Sequence, residues 1–160
     1  NALEKLKWGI VPSWSKKKDF KPLINSRLET IDEKISFKKL IKLKRCIAIA
    51  DGFYEWKREE KEKKPFFFQR EDKKIIYFAG IYDENEFCLI TEQASENVLE
   101  IHHRQPVILN QKDLKSYLDL QLDGSAFLKE AKKPRLEFYE VSKDVNKPTN
   151  NSISLIQSLN

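Results

Sequence analysis

The stretch RCIAIADGFYEW at positions 45–56 limits what this chain can fold into more than any other segment. It reads as one buried strand over residues 46–57, because apolar and small residues run unbroken up to Asp51. Side chains alternate along a strand, so Asp51, Phe53 and Glu55 fall on one face and Gly52, Tyr54 and Trp56 on the other. Glu55 therefore lies beside Phe53, between two aromatic neighbours in the chain. Burying a carboxylate is costly unless it is paired or holds its proton. Two readings are open for Glu55. It is a structural residue bonded to a backbone group or an Arg, or it is a proton-transfer group.

The rest of the chain supplies more short strands. Extended segments are expected at 8–14 (broken at Pro12), 24–28, 65–70, 75–81, 86–91, 106–109 and 136–142. Asn25, Arg27 and Glu29 alternate onto one side of the second of these. Helices are expected after Ser36, Ser95, Asn110 and Gly124, with residues 57–64 as a charged hairpin loop and 16–21 as a basic loop. No internal repeat or linker divides the chain. The pattern predicts a single α+β domain over residues 1–160, built on a curved, barrel-like, mainly antiparallel sheet with several peripheral helices.

Composition narrows the function classes. The net charge is +5 and the pI about 9.1, which permits nucleic-acid binding without establishing it. No apolar run approaches the roughly 20 residues that span a bilayer, and no membrane partner is expected. Cys46 and Cys88 lie inside apparent strands and read as reduced, buried thiols of a cytoplasmic protein. There is no P-loop, GxGxxG or GxSxG motif. The only two histidines, His102 and His103, are adjacent and lack a third ligand, so no metal or cofactor is expected. Either histidine serves as an acid/base group or as a surface helix-end residue. Asn25 and Arg27 hold a polar or anionic ligand, or Arg27 pairs with Glu29 or Glu55.

Several segments point one way when taken together. They are WGIVPSW at 8–14, NSRLET at 25–30, ADGFYEW at 50–56, FAGI at 78–81 and IHHRQPVIL at 101–109. Arg45-Cys46, Val141-Ser142 and Val145-Asn146 fit the same order. The chain resembles the SOS-response-associated peptidase (SRAP) domain family from about Lys7 to its end.

That resemblance implies recognition of abasic sites in single-stranded DNA by a protein expected to be monomeric. An N-terminal Cys, exposed by self-removal of the initiator Met, traps the sugar aldehyde as a thiazolidine. A lyase activity is also implied. Asn25, Glu55 and His102 take the catalytic positions. Arg27 contacts a phosphate, with Trp8, Trp56 and Thr91 as further DNA contacts. The family's N-terminal Cys is not among these 160 residues, and the chain contains no Met, so a segment ahead of Asn1 is expected to carry it. Cys46 belongs to the Arg-Cys strand and is read as structural. Ile49, His103 and Gln105 replace the family's usual Pro, Asp and Met, and none of these positions is a presumed catalytic one. The alternative is a non-covalent single-stranded DNA-binding module. A conventional cysteine protease is disfavoured by the lack of a Cys-His pair.

Overall fold

The computed structural model describes residues 2–15, 19–60 and 62–159. Lys16, Lys17 and Lys18 of the basic loop, and Lys61 of the charged loop, lie outside them. Ten strands run along the described chain. They are β1 (Lys7–Trp8), β2 (Asn25–Arg27), β3 (Arg45–Ala50), β4 (Phe53–Arg58) and β5 (Lys63–Arg70). β6 (Ile76–Asp83), β7 (Glu86–Gln93), β8 (Arg104–Pro106), β9 (Ile108–Leu109) and β10 (Leu136–Glu140) follow. The helices are short: α1 (Leu40–Leu43), α2 (Glu96–Leu99), α3 (Leu114–Leu118) and α4 (Gly124–Glu130). The chain is α+β with mainly antiparallel pairing in two sheets. Neither sheet closes into a barrel among the described residues.

The residues divide into two compact units. The first comprises Asn1–Ile49, Tyr77–Glu92 and Pro106–Lys133. Its sheet follows the order β1-β7-β6-β3, with β2 parallel to β7 and β9 antiparallel to β6. Its core gathers Ile10, Ile31, Ile41, Ile81, Ile90 and Leu109, closed by Tyr117 and Leu128 from α3 and α4. The Tyr117 hydroxyl donates to the Gly80 carbonyl at 2.8 Å, which satisfies the one polar atom of a fully buried ring.

Arg45, which opens β3, is buried rather than solvated. Its Nη2 donates to the carbonyls of Asp119 and Leu122 at 2.8 and 3.0 Å and so ties down the loop between α3 and α4. Of the expected helix caps, Ser95 and Asn110 make no side-chain cap bond, and α1 begins after Lys39 and not after Ser36. Asp123 does, accepting from the backbone N–H of Ser125 and Ala126, both at 3.0 Å. Asp123→Ala should therefore cost about 1 kcal/mol and lower the unfolding midpoint by roughly 2–4 °C, read by thermal unfolding.

The second unit comprises Ala50–Ile76, Gln93–Gln105 and Pro134–Asn160. Its sheet has the order β10-β5-β4, all antiparallel, with β4 at one edge. Aromatic residues fill both faces. Phe53 stacks on Phe68 at 5.0 Å, and Phe138 meets Phe66 and Phe68 at 5.8 and 5.1 Å. On the opposite face, Phe67 packs against Tyr54 and Tyr139. Both tyrosine hydroxyls donate to the C-terminal segment, to the carbonyls of Leu155 and Ile156.

The expected single strand over 46–57 is two strands. The chain breaks at Asp51-Gly52, and β3 and β4 belong to different sheets. Asp51 is exposed and has left the alternation. Only a glycine lets the chain pass this close to β5 at the break: a Cβ on Gly52 would lie 2.2 Å from the Phe67 ring and 2.4 Å from the Phe68 carbonyl oxygen. Ile49, expected to be buried, is 56% exposed. The charged loop is also shorter than the sequence suggests. β4 and β5 pair as far as Arg58 and Lys63.

Candidate active site

Glu55 occupies the third position of edge strand β4 and lies directly across from Phe66. Phe53 and Phe68 are the next pair on the same face, with Phe138 beyond. This aromatic bed removes water from the carboxylate. Burial accordingly raises the Glu55 pKa above its ordinary 4.5, while His102 and the Trp56 backbone amide pull it part of the way down. The expectation of a carboxylate among aromatics holds. Its electrostatic neighbour is a histidine, whose Nδ1 lies 3.8 Å from Glu55 Oε1.

His102 is placed by the turn that ends α2. Its backbone N–H, like that of Ile101, donates to the Val98 carbonyl at 2.9 Å, with Val98 and Ile101 buried beneath. The turn is braced from both sides. Asn97 Nδ2 donates to the Leu136 carbonyl, and the Ser95 amide and hydroxyl both donate to Gln105 Oε1 at 3.0 and 2.9 Å. Ser95 thus braces the histidine loop instead of capping the helix.

The His102 ring nitrogen Nδ1 is 2.9 Å from the Arg104 carbonyl and 3.2 Å from the Arg104 amide. The carbonyl and the Glu55 carboxylate both call for a proton on Nδ1. The more distant amide alone calls for a lone pair. We therefore assign the proton to Nδ1, which leaves Nε2 to give and take protons. His103 is exposed, its ring tilted over His102 at 4.5 Å, so only one of the adjacent pair addresses Glu55.

Glu55 and His102 open into a cleft of about 420 Å³, also lined by Trp56, Arg58, Lys63 and Asn146. Trp56 Nε1 donates to Asn146 Oδ1 at 2.8 Å, which fixes the indole plane at the cleft wall. The sequence reading missed Asn146, Arg58 and Lys63. The tail dipeptide Val145-Asn146 was the available signal for the first. The charged hairpin concealed the other two.

The remaining site candidates belong to the first unit. Asn25 and Arg27 share the exposed face of β2, with Ser26 buried between them, as the alternation requires. Thr91 is the register partner of Arg27 on β7. Its hydroxyl is buried and donates to the Ser26 carbonyl at 3.3 Å. Trp8 is 52% exposed. Its ring stacks on Phe87 and its indole N–H donates to the Ile24 carbonyl at 2.9 Å, leaving a broad apolar face in solvent.

Cys46 and Cys88 are unpaired thiols, both pushed up to about 12 by burial. Neither is a ready thiolate. No group of three His, Cys, Asp or Glu is placed to hold a metal among the described residues. No described helix is long and apolar enough to cross a membrane.

Comparison with known proteins adds an independent line. Residues 1–148 match the family described as SOS response associated peptidase (SRAP). The abasic site processing protein YoqW of Bacillus subtilis (strain 168) is 38% identical over 173 residues, covering 99% of this chain and 77% of that protein. The abasic site processing protein YMR114C of Saccharomyces cerevisiae is 32% identical over 176 residues, covering 99% of this chain and 48% of that one. A crystal structure of a protein from Bacteroides thetaiotaomicron matches with a TM-score of 0.83 at 27% identity, covering 96% of this chain and 75% of that one.

Proposed function

Because the chain belongs to the SOS response associated peptidase family, we propose that it recognises abasic sites in single-stranded DNA and joins them covalently to an N-terminal cysteine of the full-length protein. The observation that carries this reading is the half-buried Glu55 carboxylate, 3.8 Å from His102 Nδ1 in an open cleft. A carboxylate and an imidazole so placed suit a reaction made of successive proton transfers.

An abasic sugar is mostly a closed hemiacetal. His102 Nε2 takes the proton of the anomeric hydroxyl and passes it to the ring oxygen as the bond between that oxygen and the anomeric carbon breaks, which gives the aldehyde. The cysteine amine must be neutral to attack, and a free α-amine with a pKa of about 7.7–8.0 needs little help. Glu55 accepts the proton that the attacking nitrogen sheds. It returns that proton to the aldehyde oxygen to give the carbinolamine, then moves the second nitrogen proton to the hydroxyl, which leaves as water and leaves the imine. The cysteine thiol adds to the imine carbon, its proton passes to the nitrogen, and a thiazolidine results. Aldehyde and aminothiol combine with loss of one water, and no oxidant is consumed.

Asn25 is assigned to orient the aldehyde and Arg27 to hold a phosphate. Trp8 and Trp56 offer apolar faces to unstacked bases. Thr91, with its hydroxyl engaged, would contact DNA through backbone or methyl atoms. The same proton-transfer groups would release the initiator Met and support a lyase activity. The protein is proposed to act as a monomer in the cytoplasm.

Denaturing electrophoresis of the full-length protein with abasic and intact oligonucleotides tests the reading. A band that survives denaturation with abasic DNA alone is expected. Salt-sensitive, reversible binding with no preference for the lesion would replace it with the simpler DNA-binding module.

A further inference from the structure

The end of the β4–β5 hairpin carries four cations in two cross-strand pairs, Lys57 opposite Lys64 and Arg58 opposite Lys63. Like charges directly opposite one another destabilise a sheet, so each pair calls for compensation. The first pair has it. Lys64 Nζ lies 3.0 Å from Glu59, and Lys57 Nζ lies 4.0 Å from Glu100. The second pair does not. Among the described residues neither Arg58 nor Lys63 forms an ion pair, and nearby Glu62 is held by Lys143 at 2.5 Å. Alternation puts the two pairs on opposite faces of the hairpin. The uncompensated pair lies on the face of Trp56, opposite that of Glu55, and with both it lines the cleft along edge strand β4.

We propose that Arg58 and Lys63 form a phosphate-binding pair on the hairpin side of the cleft, taking one backbone phosphate of the strand that carries the abasic sugar. This rests on the abasic-site reading above. The chemistry suits the ligand: a guanidinium fork engages two phosphate oxygens and an ammonium adds a point charge. Binding would also relieve the repulsion between the two side chains. With the phosphate fixed there, the adjoining sugar is held in register with the two acid/base groups.

The test uses full-length protein in three forms: wild type, R58Q/K63Q and K57Q/K64Q. Both sites of the first variant are exposed, and removing the like-charge pair should leave the unfolding temperature unchanged or raised. The half-saturating concentration of abasic oligonucleotide for adduct formation should rise about tenfold in R58Q/K63Q. The slope of log affinity against log salt should become shallower by about 0.7, the contribution of one neutralised phosphate on a single strand. K57Q/K64Q should change affinity by no more than about twofold, because those charges are already compensated.

An unchanged half-saturation and salt slope in R58Q/K63Q would overturn the proposal. So would an equal loss in K57Q/K64Q, which would point to diffuse charge instead of a site. If the wild type forms no adduct, the abasic-site reading fails. Reversible binding of intact single strands by the same three proteins then decides the phosphate pair separately.

Discussion

Glu55→Gln is expected to slow adduct formation on the order of 100- to 10,000-fold, the range that a positioned acid/base group supplies. Glutamine keeps the shape and hydrogen-bonding reach of the side chain but cannot exchange a proton. The loss should appear in the single-turnover rate at saturating DNA, with affinity nearly unchanged. In the wild type the acidic limb of the pH–rate profile should lie above the ordinary carboxylate value of 4.5, because burial on the aromatic bed raises the Glu55 pKa. The variant should lack that limb.

Stability should move the other way. The folded state holds the Glu55 proton more tightly than the unfolded chain does. This group's stabilising contribution is fully present below pH 4.5 and is lost as pH rises through the raised folded value. Glu55→Gln removes that dependence, so at neutral pH the variant should unfold at or above the wild-type temperature. Lower stability together with lower activity would mean that Glu55 is structural.

Gly52→Ala should be the most damaging single methyl group in the second unit, costing on the order of 3 kcal/mol in denaturant unfolding. The new Cβ would meet the Phe67 ring at 2.2 Å and the Phe68 carbonyl oxygen at 2.4 Å, and that oxygen belongs to a paired strand. Relief requires β4 to move away from β5, which would carry Glu55 with it. Adduct formation should fall alongside stability. Activity lost in a variant of wild-type stability would instead point to a direct role for the Asp51-Gly52 turn.

Much of the site was legible because strand alternation is local. Glu55 beside Phe53, and Asn25 and Arg27 astride a buried Ser26, follow from a period of two and were found as expected. The break between β3 and β4 was not legible. The close approach that requires a glycine there is to Phe67 and Phe68, which belong to a strand that begins at Lys63. Nor could the sequence place Asn146, which reaches Trp56 across 90 residues. The uncompensated state of Arg58 and Lys63 was hidden for another reason. In the sequence every Lys of the hairpin has a Glu nearby, and only the pairing register shows which cations those carboxylates serve. Helix caps failed where a competing partner was better placed, as with Ser95 and Gln105.

The central claim is a covalent bond formed with loss of one water between an N-terminal cysteine and an abasic sugar. Intact mass spectrometry of the full-length protein, mixed with a single-stranded oligonucleotide bearing one abasic site, tests it most directly. The predicted species has the mass of the Met-free protein plus the oligonucleotide minus one water, and it is absent with intact DNA. Recovery of only unmodified protein and free oligonucleotide, under conditions where the two bind, would contradict the account.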